Sequence, residues 1–187
     1  MYTVTNTFIL GLANPVGSVT IGYYTSADKL INTARSCFSP IADSLYPYLI
    51  KNKDFKLVKK ILLIMMPPIT IGCIIVGIFS EPFTALLLGE EFREAGKILR
   101  VLMPIVVITP LTYIFGFPVL TALDLSKHAN LSTIYASVIH VCLLFILAFI
   151  DNLNVYTISI ITVATEMFIL FYRIVIIYKN KNKIKTS

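Results

Sequence analysis

The stretch ILLIMMPPITIGCIIVGIFS, residues 61–80, holds no ionisable side chain and lies between Lys60 and Glu81. Twenty apolar residues make a helix about 30 Å long, the thickness of a bilayer's hydrocarbon core. The same reading extends outward along the chain. Residues 101–123 run uncharged from Arg100 to Asp124, and residues 129–150 carry only His140 between His128 and Asp151. Residues 154–178 carry Glu166 and Arg173 inside an otherwise apolar run. The whole chain is 57% hydrophobic and 14% charged, with a mean hydropathy of +0.83. Soluble domains carry about 25% charged residues, so an ordinary water-soluble fold is excluded.

Two further segments precede these. Residues 2–12 form a short apolar run broken by ANPVGS, and residues 23–50 are long enough to cross but carry Asp28, Lys29, Arg35 and Asp43. The expected architecture is an all-α polytopic transmembrane helix bundle, with residues 1–187 as one bundle. It has about six spans, at 1–14, 18–50, 61–80, 100–123, 131–150 and 155–178. Residues 81–99, with four Glu against Arg93 and Lys97, are too charged to cross and read as an interfacial segment, with Gly89 as a breaker. The short first segment, with Asn6 inside it, leads us to expect a truncated chain, and no cleavable signal peptide is apparent.

Lysine placement orients the spans. Residues 51–60 hold five Lys and one Asp, and the tail 179–187 holds four Lys. Basic loops stay cytoplasmic. Six spans then alternate correctly, and both termini are expected on the cytoplasmic side. The net charge of +6 is clustered between apolar spans and forms no continuous basic face, so the membrane surface is the expected anionic neighbour and nucleic acid is not. Seven prolines (Pro40, Pro47, Pro67, Pro68, Pro104, Pro110 and Pro118) fall in or near spans, which favours a kinked, cavity-lining bundle over a simple anchor.

The charged segment 23–50 decides the functional reading. On a helix at about 100° per residue, Tyr24, Asn32, Arg35, Ser39 and Asp43 cluster around Asp28. Leu30, Ile31, Ala34, Phe38 and Leu45 are assigned to the opposite side, and Lys29 lies at the margin. Charges at mid-bilayer cost about 2.5–3.5 kcal/mol each on an insertion scale, so they face water or one another. Two readings stand: an aqueous cavity lined by this stripe, or an ion-pair network that pins helices, such as Asp28 with Lys29 or Arg35. The last span repeats the pattern, with Ser159, Thr162, Glu166 and Arg173 sharing a face. Arg173 either snorkels to the cytoplasmic interface or points inward. His140 is expected to be a core histidine bonded to a neighbouring carbonyl or hydroxyl.

No Gly-rich phosphate loop, HExxH, GxSxG or Cys–His ligand set occurs, and Cys37, Cys73 and Cys142 sit singly in apolar segments. An enzyme, a metal site and a cofactor are therefore not expected.

Two stretches carry a family resemblance. Residues 6–12 and 16–49, NTFILGL and VGSVTIGYYTSADKLINTARSCFSPIADSLYPYL, resemble the seventh and eighth spans of Wzx-type O-antigen and polysaccharide flippases. Residues 79–106, FSEPFTALLLGEEFREAGKILRVLMPIV, resemble the outer loop of that family between spans nine and ten. The superfamily also holds multidrug exporters and the lipid II flippase. The resemblance implies the second six-helix bundle of a twelve-span transporter of the bacterial inner membrane. It implies flipping of undecaprenyl-diphosphate-linked oligosaccharide for O-antigen or capsular polysaccharide, with an N-terminal half or second copy as partner and a polysaccharide polymerase beyond it. Arg35, Lys29, Asp28, Asn32, Tyr24 and Asp43 become substrate-path candidates, and Glu166 and Arg173 candidates for ion coupling. The alternatives are half of a multidrug or cation exporter, and a non-transporting remnant or scaffold.

Overall fold

A computed structural model of the chain describes residues 3–13, 19–150 and 153–181. The described residues form helices α1 (Thr3–Ala13), α2 (Val19–Ser36), α3 (Ser39–Asn52), α4 (Phe55–Ile78) and α5 (Ser80–Leu88). After a 3-10 turn at Glu90–Phe92 come α6 (Ala95–Phe115), α7 (Phe117–Ala122), α8 (Ser126–Phe149) and α9 (Val155–Lys179). No strand occurs among the described residues, so the fold is all-α.

Local chemistry sets the helix ends. Asp54 caps α4, its carboxylate accepting from the Lys56 and Leu57 N–H groups at 3.1 Å. This satisfies donors that a helix start leaves open. Asn154 and Thr157 form a reciprocal capping box at the start of α9. Gly89, at φ +104°, ends α5 in a conformation that side-chain-bearing residues rarely adopt. At Gly96 an added Cβ would lie 2.5 Å from the Glu81 Cα, so only glycine lets α5 seat on α6.

Four helical stretches are long and apolar enough to cross a membrane: Phe55–Ile78, Ala95–Ala122, Ser126–Phe149 and Val155–Lys179. These meet the expectations for 61–80, 100–123, 131–150 and 155–178, with ends shifted by up to six residues. The first two expected spans differ. The helix at Thr3–Ala13 has 11 residues, too few to cross alone. Segment 18–50 is two helices with a turn at Cys37–Phe38, and neither is long and apolar enough by itself. The break falls where Pro40, in the first turn of α3, has no N–H to offer the Ser36 carbonyl. Six spans are therefore not established, and the stripe expected on one helix lies on two. Residues 81–99 divide among α5, the 3-10 turn and the first turn of α6, which begins at Ala95.

Within the bundle α6 is central. Over their most apolar windows, 56% of the residues of α6–α7 are buried, against 6% of α4. α6 packs against α2, α4, α5 and α9, while α3 packs on α7 and α8 on α9. Two apolar clusters form. One joins Tyr24, Ala27 and Ile31 of α2 to Ile98, Leu99 and Leu102 of α6, Leu144 of α8 and Ile158 of α9. The other joins Leu45 and Leu49 of α3 to Val58 of α4, Ile114, Val119 and Leu123, with Ile177 against it. The second cluster therefore gathers the end of α3, the start of α4 and the end of α9 at one pole, together with Lys51, Lys53, Lys56, Lys59, Lys60 and Lys179. Glu90, Glu91 and Glu94 lie at the other pole, before α6.

Candidate functional site

Between the two clusters lies a cavity of about 610 Å³, within the range of ligand sites. Its walls come from α2 and α3 on one side and α8 and α9 on the other, with α6 and α7 behind. Arg35, Ser39, Asp43, Tyr46, Thr112, Gly116, Thr133, Glu166 and Arg173 are among its lining residues.

The centre of the cavity is an ion pair across 131 residues of sequence. Arg35 Nη2 donates to Glu166 Oε1 at 2.7 Å, with the side chains 16% and 5% exposed. Burial of both groups demands such a partner, since one buried charge left alone is strongly unfavourable. Arg35 Nε is buried and has no hydrogen-bond partner. One prong of the guanidinium thus holds the carboxylate, while its Nε–H is enclosed by protein.

Arg173 is anchored differently. Its Nε donates to Ser132 Oγ at 3.0 Å, Nη1 to the Thr112 carbonyl, and Nη2 to the Ala129 carbonyl at 3.2 Å. These acceptors are all neutral, and Arg173 forms no ion pair among the described residues. It is 7% exposed and so points inward; of the two orientations expected from the sequence, snorkelling is not adopted. Gly116, at the break between α6 and α7, makes room for it. A Cβ there would meet Arg173 Nη1 at 2.7 Å and the Thr112 carbonyl oxygen at 3.1 Å.

A second polar group lies on the side of α9 toward its start. Asn6 Nδ2 donates to the Tyr24 hydroxyl at 2.7 Å and to Thr162 Oγ1 at 3.0 Å. His140 Nε2 lies 2.8 Å from Asn6 Oδ1, and its Nδ1 lies 3.0 Å from Thr165 Oγ1. All of these residues are buried. His140 is therefore a core histidine bonded to a hydroxyl and an amide carbonyl, as expected from its lone position on an apolar helix.

The residues singled out from sequence thus divide. Arg35, Asp43, Glu166 and Arg173 come together around one cavity. Asp43 is exposed and bonds Ser39 at 3.1 Å. Tyr24 belongs to the Asn6 network. Asp28 is buried and accepts from Asn32 Nδ2 at 2.8 Å, outside the cavity lining. Lys29 is exposed and does not line it either. The partner of Arg35 is Glu166 and not Asp28, which lies two turns back on the same helix and accepts from Asn32. Ile31, assigned to the opposite side, is buried near Asp28, since a step of three residues turns only about 60° short of a full circle. Thr112, Ser132, Thr133 and Gly116 were not singled out from sequence. Small polar residues are common in membrane helices, and only the nearby guanidinium marks these four.

Chemically, the cavity can receive a group bearing anionic oxygens or hydroxyls. The Arg35 fork suits phosphate or carboxylate oxygens when Glu166 releases it, and the Ser39 and Thr133 hydroxyls line the same space. No group of three or more His, Cys, Asp or Glu residues that could hold a metal ion occurs among the described residues. No family model, curated protein or solved structure matches the chain.

Proposed function

We propose that the chain is the C-terminal bundle of a bacterial inner-membrane flippase. In this reading it moves undecaprenyl-diphosphate-linked oligosaccharide toward the periplasmic leaflet for O-antigen or capsular polysaccharide assembly. The observation that carries the reading is the Arg35–Glu166 pair at a 610 Å³ cavity inside an apolar bundle. Charges at that depth are costly unless they serve each other or a polar ligand. The open space beside the pair, with Ser39 and Thr133 in its lining, favours the ligand.

In this reading α1, and α2 with α3, supply two further spans to make six, and both termini lie on the cytoplasmic side with the lysine-rich pole. A diphosphate entering the cavity competes with Glu166 for Arg35. The carboxylate it displaces then takes up a proton or a sodium ion, which couples the exchange to an ion gradient. The cavity side between α3 and α8 faces an N-terminal half or a second copy, because alternating access needs two bundles rocking about one site. A polysaccharide polymerase receives the product.

The test expresses the chain in cells whose own flippase is deleted, with and without a matching first half. Surface polysaccharide restored only with the first half supports the proposal. Restoration in neither case sinks it. Within a restored transporter, Arg35→Ala is expected to reduce export more than Arg35→Lys, which retains charge without the two-pronged fork. Equal export by both variants and the parent would remove Arg35 from the path. Reporter fusions after Lys60 and near Glu91 check the topology, with the former expected inside and the latter outside.

A further inference from the structure

A second concavity, of about 440 Å³, lies away from the cavity, between the start of α4, the junction of α6 and α7, and the end of α9. Val58, Leu62, Met66, Phe115, Val119 and Ile177 give it an apolar wall, and Lys59 is its one charged lining residue. From Lys59 to Pro67 the groove follows α4 for about 12 Å. It therefore runs from a cation at the pole along the apolar surface of α4.

The charges around its mouth are unneutralised. Lys51, Lys53, Lys56, Lys59, Lys60 and Lys179 are all exposed. None of them forms an ion pair among the described residues. The nearest acid in sequence, Asp54, spends its carboxylate on the α4 N-terminus. A cationic rim over a chain-width apolar slot is complementary to a lipid with a negative head and a hydrocarbon tail.

We propose that this groove binds an anionic phospholipid, one acyl chain lying along α4 and the phosphate held by Lys59 and its neighbours. No residue lines both this groove and the cavity. A lipid with its phosphate at Lys59 leaves the Arg35 site free, and the inference does not depend on the transport reading.

The test uses the purified full chain, delipidated in mild detergent and titrated with dioleoyl phosphatidylglycerol or dioleoyl phosphatidylcholine, with bound lipid counted by native mass spectrometry. One phosphatidylglycerol is expected to bind in clear preference to phosphatidylcholine. Lys59→Gln should weaken it about fivefold, the effect of one lysine at an anionic surface. Leu63→Trp bulks a groove position that is 64% exposed, so the fold is retained, and should abolish the single bound lipid. Circular dichroism checks that both variants keep their helices. Equal binding of the two lipids, or unchanged binding in both variants, overturns the proposal. Undecaprenyl phosphate displacing phosphatidylglycerol at equal concentration would also overturn it, assigning the groove to a polyprenyl chain instead.

Discussion

Helix α9 carries two polar regions that end differently. Toward its start, Thr162 and Thr165 meet Asn6, Tyr24 and His140 in a closed set of neutral hydrogen bonds. One turn on from Thr162, and next to Thr165, Glu166 meets Arg35 beside an open cavity, with Arg173 farther along. Neutral side chains that satisfy one another need no water, so helices can close over them. Charged groups keep residual demand for polar partners even when paired, and space remains around them. A polar residue in an apolar bundle is thus not by itself a mark of a path.

The sharpest way to break the comparison is to remove one charge. Glu166→Ala leaves Arg35 with no carboxylate and is expected to destabilise the purified protein by about 3–5 kcal/mol, read from thermal unfolding in detergent. The double variant Arg35→Met with Glu166→Leu should recover most of that stability, since a buried pair often contributes little against an apolar replacement. If the double variant is no more stable than Glu166→Ala, the pair is not the coupled unit its geometry describes.

The closed network should respond less. Asn6→Ala leaves the Tyr24 hydroxyl and His140 Nε2 short of a partner and is expected to cost about 1–3 kcal/mol. It should leave thiol labelling unchanged at a cysteine placed at Ser39, in a background lacking Cys37, Cys73 and Cys142. A cysteine at Thr162 should label much more slowly than one at Ser39. Equal rates would mean that the two regions are equally open.

Gly116→Ala tests the support of Arg173. The added methyl pushes the guanidinium from acceptors on α6 and α8, and overpacking of this kind costs about 1–3 kcal/mol. Because Arg173 Nη1 is a side-chain end that can shift, the lower half of that range is expected. Ser39→Ala, at a partly exposed position, is the smallest change, within about 0.5 kcal/mol of the parent. A loss above that in unfolding measurements would place Ser39 deeper in the network than its single bond to Asp43 indicates.

Much of the architecture was legible along the chain because long apolar helices leave a simple record. Long uncharged runs at 61–80 and 101–123 mark helices whatever their neighbours, and the lysine-rich segments mark a common pole. The break at Cys37–Phe38 was less legible. Pro40 was visible, but a proline in the first turn of a new helix and one inside a kinked helix look alike in sequence, and Pro47, Pro67, Pro104 and Pro110 all stay inside helices. Of the site, the residue types could be listed from the sequence but not their pairing. Asp28 and Arg35 share a face of α2, so a local pair was one of the readings left open. A carboxylate on α9 was nearer.

By itself the sequence determined the long apolar helices and the polar residues set among them, because hydropathy and charge act residue by residue. The tertiary structure alone decided that Arg35 meets Glu166, that Asn6 and His140 close a network across four helices, and that Arg173 points inward onto neutral acceptors. Those outcomes depend on which helix faces lie within hydrogen-bond reach, and that distance is set by α6 packing at the centre. No local pattern in any one segment encodes it.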